Sequence, residues 1–537
     1  MTHPGYTRRR FLTHTGAFTV GTAAFGLAGC GGSGSSTAAP TIIASESERP
    51  KLPYGFQIGD IADGRAVVWA RSDRPARMRV EFDTTESFLN PRQVIGPTAT
   101  EASDFTSRIE LTGLPSGEKI FLRVAYDSAT DLKIGSELAT GSFRTLPSPD
   151  GKRPVRFVWS GDTAGQGWGI NTGFGGMKIY EAMRKRQPDF FVHSGDNIYA
   201  DGPISAEVKA ENNRIWKNIV TPEVSKVAET LNEFRGRYRY NMMDENICRF
   251  NAEVPQIWQW DDHEVTNNWS ASKDLSADTR YTEKNIQTLI ARGKQAFLEY
   301  APMRWGDQPE SQRVYRRIPY GPLLDVFVLD MRSYRGPNST NLQAVESDAS
   351  AFLGATQVKW LKDSLSQSTA TWKVIAADMP IGLHVPDGKD ANGTARWEAI
   401  ANGNDGVPLG REIEIAGLLR DIKSIKNVVW ITADVHYCAA HYYDSAQAQF
   451  TDFSPFWEFV AGPLNAGTFG PNALDATFGP QLKFQKAPPT GQTNLSPFAG
   501  FQFFGEVNID PQTKAFTIDL RDLEGVSVYS NTLPPAA

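Results

Sequence analysis

Short apolar runs between turn-forming residues characterise the chain from about residue 52 to residue 146. The runs at 66–70, 78–82 and 120–126 are continuous or alternate with polar residues, and Gly, Pro and Asp lie between them. Short runs of this kind, bounded by turn residues, predict β-strands. We therefore predict an all-β domain over residues 51–147.

The pattern changes after the turn-rich stretch 148–154, which we interpret as a domain boundary. An apolar run at 155–159 is followed by helical spacing over 176–185, and a second apolar run follows at 189–193. This order predicts a βαβ unit. Further buried strands are predicted at 256–260, 324–329, 372–376 and 427–431. Two more strands are predicted near the C-terminal end, at 503–509 and 515–520. We predict a mixed α/β domain over residues 153–537.

Length and charge narrow the classes of protein. A chain of 537 residues is too long for one compact core, and 13 Trp and 30 Phe allow large cores. The formal net charge of −6 argues against a general nucleic-acid-binding surface. The stretch 111–117 and the strands around it resemble an immunoglobulin or fibronectin III β-sandwich.

The N-terminus has the features of an export signal. Three arginines at 8–10 precede an almost uncharged run to residue 29, and this arrangement resembles a Tat signal over residues 1–30. The sequence at 27–30 resembles a lipoprotein cleavage box, which would make Cys30 a lipid anchor; an incidental cysteine is the alternative. Residues 31–50 are then a flexible linker. We expect export by the Tat machinery to the periplasm or the cell exterior.

Four predicted strands end in acids or histidines. These groups are Asp162, then Asp196 with Tyr199, then Asp262 with His263, and finally Asp434 with His436. Each group alone could be a turn or a helix cap. Together, hard carboxylates and imidazoles favour a cluster of Fe, Mn, Ca or Zn ions. A site with two or more ions can clamp a phosphate ester during hydrolysis.

These motifs resemble those of one family. Residues 195–201 (GDNIYAD), 260–269 (WDDHEVTNNW), 330–335 (DMRSYR) and 433–436 (ADVH) are similar to PhoD-type alkaline phosphatases, a family that includes a secreted metal-dependent phospholipase D. The resemblance implies a metallophosphoesterase domain of two mixed sheets flanked by helices, an α/β/β/α sandwich. It covers nearly the whole chain, and the WDDHEVTNNW stretch is its most specific part.

The resemblance also implies roles for individual residues. The implied metal ligands are Asp196, Tyr199, Asp262, Asn268, Asp434 and His436, and we add Asp162 as the first ligand because its motif resembles that of purple acid phosphatases. His263 would hydrogen-bond the phosphate or protonate the leaving oxygen beside Asp262, and Arg332, Arg335 and Asn267 would bind substrate. Two alternatives stay open at this point: Tyr199 as a packed strand-end tyrosine, and the two arginines as ion-pair partners of Asp330 or nearby loops.

One position departs from the family pattern. The PhoD-type sequence usually has Cys after the first strand, whereas this chain has Gly161 followed by Asp162, an arrangement that resembles the first motif of purple acid phosphatases. A hard carboxylate then replaces a soft thiolate. We expect Fe³⁺ and Ca²⁺, with Mn²⁺ or Zn²⁺ as alternatives. Cys438 could substitute for the thiolate, although a buried structural cysteine is the simpler interpretation.

The sequence predicts a secreted metal-dependent hydrolase of phosphate monoesters or diesters that uses a hydroxide activated by metal ions. A phospholipase D acting on phospholipids is one alternative, and an inactive metal-binding surface module is another. The chain has no Gly-x-Ser-x-Gly elbow after a strand and no Walker loop. Residues 391–408 are rich in Gly and Asn and are predicted to form a long loop that could cover the site.

Overall fold

The structure is a computed structural model, and it describes residues 45–148, 153–304, 310 and 312–536. The predicted signal, Cys30, most of the predicted linker and residues 149–152 of the predicted boundary lie outside the described residues. Residues Ala44–Ala537 form one compact unit. Within the described part of the chain, no helix has the length and apolar character needed to span a membrane.

The N-terminal region is all β, as the sequence predicts. Its strands, β1 to β7 in chain order, are Phe56–Ala62, Arg65–Arg71, Ala76–Asp83, Arg92–Ala99, Thr106–Thr112, Lys119–Ser128 and Ala139–Arg144. Strands β4, β3, β6 and β7 form a four-stranded antiparallel sheet. Its inner side chains, such as Met78 and Val124, belong to one core with Ile58 and Leu111 of β1 and β5, so this region is a β-sandwich.

Strands and helices alternate in the central part of the chain. Strands β8 to β12 are Val155–Ser160, Phe190–Ser194, Glu207–Lys209, Ile215–Lys217 and Gln256–Gln259. Helices α1 to α4 are Lys178–Lys185, Leu231–Asn241, Glu245–Glu253 and Ile286–Tyr300. Local sequence sets two of the helix starts: Thr230 and Glu233 form a capping box at α2, and the Asp244 carboxylate accepts two backbone N–H bonds at α3.

In the rest of the chain, the described residues form two further α-helices and end in a run of strands. Strands β13 to β21 are Arg316–Pro319, Leu324–Val328, Trp372–Ala376, Pro386–Lys389, Ala395–Trp397, Val428–Thr432, Cys438–Tyr443, Phe456–Val460 and Pro480–Lys486. Helices α5 and α6 are Ala355–Gln367 and Arg411–Ile422, and strands β22 to β24 are Phe503–Ile509, Phe516–Asp522 and Ser527–Leu533. The predicted loop 391–408 contains the short strand β17, which pairs with β16.

Two large mixed sheets pack face to face between layers of helices. The first has the order β24-β23-β22-β8-β9-β12-β1-β2-β5 and the second has the order β13-β14-β15-β18-β20-β19-β21. Side chains alternate across each strand: Phe157 and Trp159 join the core between the sheets, whereas Val158 packs toward the helices α1 to α4. Helices α5 and α6 cover the outer face of the second sheet. The fold is the α/β/β/α sandwich that the resemblance implies.

The β-sandwich and the first large sheet share strands. Strand β1 pairs in parallel with β12 through Gly59 and Gln256, so β1, β2 and β5 extend the nine-stranded sheet. A Cβ on Gly59 would collide with the backbone and ring of Pro302, which shows how closely the chain approaches this junction. The sandwich therefore continues into the α/β region through hydrogen bonds, and the division into 51–147 and 153–537 stays a prediction from sequence.

Parallel strands bring their C-terminal ends to one edge of each sheet. Strands β8, β9 and β12 are parallel neighbours in the first sheet, and β14, β15, β18 and β20 are parallel neighbours in the second. Chemistry in α/β folds is placed in the loops at such ends. The loops after β8, β9, β12 and β18 carry the acids and histidines named above.

Candidate metal centre

The four strand-end loops meet around one cavity. Three groups of side chains have ligand atoms within 4.8 Å of one another: Asp162 with Asp196 and His436, Asp196 with Asp262 and His263, and Asp261 with Asp262 and Asp434. Asp196 and Asp262 each belong to two groups, so the three groups are contiguous. The sequence predicted all of these residues as ligands or catalytic groups except Asp261.

Several of these residues have an uncommon backbone conformation, which sets the direction of their side chains. Asp162, Asp196, Asp434 and His436 have φ values of 66°, 51°, 63° and 61°, in the left-handed region. Non-glycine residues adopt this region rarely, and such residues concentrate at functional sites. Asn268, the fifth candidate ligand with this conformation, has a φ of 54°. The tight reversal after each strand turns the side chain back over the sheet edge.

His436 and Tyr199 present their donor atoms to the same place. The Nδ1 of His436 donates to the carbonyl oxygen of Gly467, which leaves Nε2 as the atom facing the cavity. This Nε2 lies 3.0 Å from the Tyr199 hydroxyl and 3.6 Å from Oδ1 of Asp162. Tyr199 therefore lies beside two candidate ligands, and this contact agrees with both interpretations: a metal ligand, and a packed tyrosine whose hydroxyl bonds a neighbour.

His263 is fixed by an acid that the sequence analysis did not include among the site residues. The carboxylate of Asp201 accepts the Nδ1–H of His263 at 2.6 Å and the backbone N–H of Asn267 at 2.9 Å. The Tyr199 ring stacks on the imidazole with centroids 4.2 Å apart. Nε2 of His263 is the ring nitrogen left for a substrate. Asp201 belongs to the motif at residues 195–201. Its position five residues after Asp196 is the sequence feature that could have identified it as a site residue.

Asp162 and Asp196 are buried and Asp434 is half-buried, and the described residues place no lysine or arginine within ion-pair distance of these three acids, whereas Asp261 pairs with Arg332. Burial, reinforced by the charges of Asp261 and Asp262, raises the pKa of Asp162, Asp196 and Asp434 well above the ordinary value. Buried Oδ2 of Asp162 and Oδ1 of Asp262 have no hydrogen-bond partner among the described residues. Carboxylates in this situation are normally compensated by bound cations.

The two histidines differ in their surroundings. Burial lowers the pKa of His436 to about 4, so its imidazole is neutral and can ligate a metal. Burial opposes protonation of His263 as well, but the neighbouring Asp201 and Asp262 carboxylates outweigh it and raise the pKa of His263 to about 9. One imidazole is therefore suited to metal binding and the other to donating a proton.

The donor set fits hard cations. Carboxylate oxygens, a phenol oxygen and imidazole nitrogens surround the centre, and together they suit Fe³⁺, Ca²⁺, Mn²⁺ or Zn²⁺. Cys438 does not supply a thiolate, because its Sγ lies 3.9 Å from the Lys486 carbonyl oxygen and its side chain packs in the core between the sheets. At Gly161, a Cβ would lie 2.9 Å from the Ala433 Cβ. The described part of the centre is therefore free of sulfur ligands.

Glu264, Asn267 and Asn268 support the centre in different ways. The Glu264 carboxylate accepts the backbone N–H groups of Asn197 at 2.6 Å and Asp261 at 2.8 Å, and so ties two ligand loops together. Asn268 donates its backbone N–H to the Asp262 carboxylate and its amide to Asp387 at 2.8 Å. Asn267 and Asn268 both line the cavity, as their predicted substrate and metal roles require.

The structure places the two predicted substrate arginines elsewhere. Arg332 is fully buried behind the cavity, where its Nε donates to Asp261 at 2.6 Å, and Arg335 donates to Glu398 at 2.6 Å. Neither arginine lines the cavity. The geometry favours the ion-pairing alternative over the substrate-binding prediction, because these guanidinium groups are already engaged by buried acids. The ion-pair partners are Asp261 and Glu398, whereas the Asp330 carboxylate accepts the backbone N–H of Arg332 at 3.1 Å.

The cavity has room for a substrate much larger than phosphate. Its volume is about 770 Å³, and its floor includes Asp196, Asp262, Asp434 and His436. The rim adds residues without any local sequence signal of a site: Gln166, Arg280, Phe469 and Asn472. Val385 and Pro386, the latter the first residue of β16, form part of the wall. His384, in the loop before β16, bonds Asp475 at 3.1 Å and does not line the cavity.

Two facing mixed sheets between helices, with acid- and histidine-bearing strand ends at one edge, define a metallophosphoesterase-type fold and site. Residues 157–520 match the family model for the PhoD-like phosphatase, and residues 36–147 match the model for the N-terminal domain of PhoD-like phosphatases. The chain belongs to the PhoD-like phosphatase family.

Individual relatives agree with this family. The chain is 30% identical over 320 residues to alkaline phosphatase D of Bacillus subtilis (strain 168), a match that covers 57% of this chain and 50% of the relative. The match thus spans about half the length of that curated protein. A solved structure of PhoD is similar with a TM-score of 0.66 and 21% identity, covering 91% of this chain and 90% of the other.

A second solved structure has the same fold. The purple acid phosphatase PPD1 from yellow lupin (Lupinus luteus) seeds is similar with a TM-score of 0.54 and 12% identity, covering 91% of this chain and 74% of the other. At these identities the two solved structures support the fold alone.

Proposed function

We propose that this protein is an exported, metal-dependent phosphoesterase that hydrolyses phosphate monoesters, diesters or both. The observation that carries the proposal is the set of three contiguous groups of acids and histidines. Within each group the ligand atoms lie within 4.8 Å of one another, and Asp196, Asp262, His263, Asp434 and His436 line the cavity. Family membership supports the same class of reaction. The metals we propose are Fe³⁺ and Ca²⁺, with Mn²⁺ or Zn²⁺ as alternatives.

The proposed ligands are Asp162, Asp196, Tyr199, Asp262, Asn268, Asp434 and His436. Bound cations would supply Lewis-acid activation of the phosphoryl group and acidify an attacking water. Asp196 and Asp262 would each serve two neighbouring ion positions, because each belongs to two of the groups.

His263 is the proposed proton donor. Its Nδ1–H is held by Asp201, so Nε2 is the atom from which a proton can pass to the departing oxygen. The Tyr199 ring and the backbone bond from the His263 N–H to Asp196 at 3.1 Å keep the imidazole in place. Asp201 is therefore a positioning residue, which acts through His263.

The test measures hydrolysis of p-nitrophenyl phosphate, bis-p-nitrophenyl phosphate and phosphatidylcholine by the purified protein, before and after chelation. We expect hydrolysis of at least one of the first two esters, loss of that activity on chelation, and recovery when Fe, Ca, Mn or Zn is added back. Turnover confined to phosphatidylcholine would favour the phospholipase D alternative. Absence of turnover with metals bound would favour the inactive metal-binding module.

Export and anchoring are separate parts of the proposal. They depend on residues 1–30 and on Cys30, and the sequence features at 8–10 and 27–30 support them. Replacing Arg8 and Arg9 with lysine should retain the protein in the cytoplasm, as measured by cell fractionation. Replacing Cys30 with serine should release it from the membrane fraction if the cysteine is acylated.

A further inference from the structure

One arginine on the cavity rim differs from the other charged residues of the site. Arg280 lines the cavity together with four acids, Asp196, Asp201, Asp262 and Asp434. Among the described lining residues it is the one lysine or arginine. Its side chain is 49% exposed, in contrast to the buried Arg332 and Arg335. A ligand entering the cavity can therefore reach it.

The guanidinium is held in a defined orientation. The Asp278 carboxylate accepts from Nε at 3.0 Å and from Nη2 at 2.7 Å, and it also accepts the backbone N–H of Arg280 at 3.0 Å. Nη1 donates to the carbonyl oxygen of Asp201 at 3.1 Å. These bonds use three of the five N–H groups of the side chain. The adjacent Tyr281 anchors the loop through its hydroxyl, which bonds Thr266 at 3.1 Å.

Arg280 is connected to the candidate metal ligands through two intervening residues, Asp201 and His263. The backbone N–H of His263 contacts Asp196 at the floor, the His263 ring contacts Asp201, and the Asp201 carbonyl contacts Arg280. Among the described residues, Arg280 makes no hydrogen bond or ion pair with any of the proposed metal ligands; its partners are Asp278 and the Asp201 carbonyl oxygen. The guanidinium is thus placed for a group of the substrate other than the phosphate that reacts.

We propose that Arg280 binds a second anionic group of the substrate, so that the preferred substrates are phosphate esters carrying another negative charge, such as a second phosphate. This inference rests on the proposed phosphoesterase function. Guanidinium groups bind phosphates and carboxylates through paired hydrogen bonds, and a preorganised fork loses less entropy on binding. Four carboxylates line the cavity and repel an incoming dianion, and a positively charged side chain at the rim offsets part of this repulsion.

Two matched substrates test the proposal. Thymidine 5′-(p-nitrophenyl phosphate) carries one charge, and its 3′-phosphorylated form carries a second anionic group; both release p-nitrophenol. For the metal-loaded wild type we expect kcat/KM to be about tenfold higher for the 3′-phosphorylated substrate, the size of one charge-assisted hydrogen bond at a half-exposed position. The Arg280→Gln variant should bring the ratio of the two values close to one, and Arg280→Lys should retain part of it.

Arg420 provides the matched control. It is similarly exposed, at 53%, and it also pairs with a nearby aspartate, Asp421, at 3.0 Å, but it does not line the cavity. Arg420→Gln should keep the wild-type ratio. A wild-type ratio near one, or a ratio that is unchanged in Arg280→Gln, would overturn the proposal. If the wild type hydrolysed no phosphate ester at all, the proposed function would itself fail, and that outcome is distinct from turnover without discrimination.

Discussion

Two regions of buried charge lie side by side in this protein, and they are compensated in different ways. Behind the cavity, Arg332, Arg335 and Arg411 surround Glu398; Arg335 donates to its carboxylate at 2.6 Å, and Arg411 donates to its carbonyl oxygen at 2.7 Å. At the cavity floor, Asp162 and Asp196 are equally buried, but the described residues place no arginine or lysine within ion-pair distance of either.

The difference shows in the ionisation of the acids. Although burial opposes it, the charges of Arg332 and Arg335 lower the pKa of Glu398 below its ordinary value. At the floor, burial and the neighbouring carboxylates raise the pKa of Asp196 well above its ordinary value. Buried charge must be paired or bound to metal to persist. The comparison indicates that one region is completed by the chain itself and the other by cations from solution.

The largest expected effect is a difference in stability between one substitution in each region. In metal-free protein, Glu398→Gln removes the carboxylate charge that the buried Arg332 and Arg335 share, and it should lower the free energy of unfolding by about 3–5 kcal/mol. Asp196→Asn removes one of several crowded acids and should not lower it. Urea denaturation in the presence of a chelator measures both. Equal losses in the two variants would remove the distinction between the regions.

The second prediction concerns the positioning of His263 by Asp201. Asp201→Asn should lower kcat/KM by about 10- to 100-fold, as is usual when the partner that orients a functional histidine is lost. Because Asp201 acts through the proton donor, the loss should be greater for alkyl phosphates, whose leaving oxygen needs a proton, than for p-nitrophenyl phosphate. Asp201→Glu should recover part of the activity.

The substrate comparison separates this role from a merely structural one. A loosened cavity would slow both classes of ester to the same degree, and the bound metal content would fall with the activity. An equal loss for alkyl and p-nitrophenyl esters would therefore contradict the assignment of Asp201 as the residue that positions His263. The backbone bond from Asn267 to Asp201 predicts that Asn267 also shifts in this variant.

The smallest expected effect concerns Gly161. A Cβ there would lie 2.9 Å from the Ala433 Cβ and 3.2 Å from the Gly195 carbonyl oxygen. Gly161→Cys should therefore lower the free energy of unfolding by about 1–3 kcal/mol, and adding Ala433→Gly should recover part of it. Thermal unfolding of the single and double variants measures the coupling. Full stability of Gly161→Cys alone would show that the loop can move to accept a thiolate.

Much of the fold could be predicted because the buried strands are continuous apolar runs. The runs at 155–159, 189–193, 324–329 and 427–431 all fall on strands, and the helical spacing at 176–185 falls on α1. The parallel pairing of β1 with β12 could not be predicted. It joins residues far apart in sequence, and no local pattern encodes which edge strand of a sheet accepts another strand.

The candidate site, like the fold, could be predicted only where the local sequence determines the position of a residue. Asp162, Asp196, Asp262, Asp434 and His436 could be predicted because each follows a buried strand closely, and parallel strands deliver such residues to one edge. The direction of Arg332 and Arg335 could not, because a strand-end arginine can face the cavity or the layer behind it, and only packing decides. Arg280, Phe469 and Asn472 lie in loops whose contribution to the rim depends on the whole fold.

The central claim is that the floor of the cavity is completed by cations, and metal analysis of the purified protein tests it most directly. Elemental analysis by mass spectrometry, on protein purified without chelators, should find two or more metal ions per chain. It should find fewer in Asp196→Asn, whose carboxylate belongs to two of the ligand groups. Metal-free wild-type protein with full phosphoesterase activity in the presence of a chelator would contradict the account.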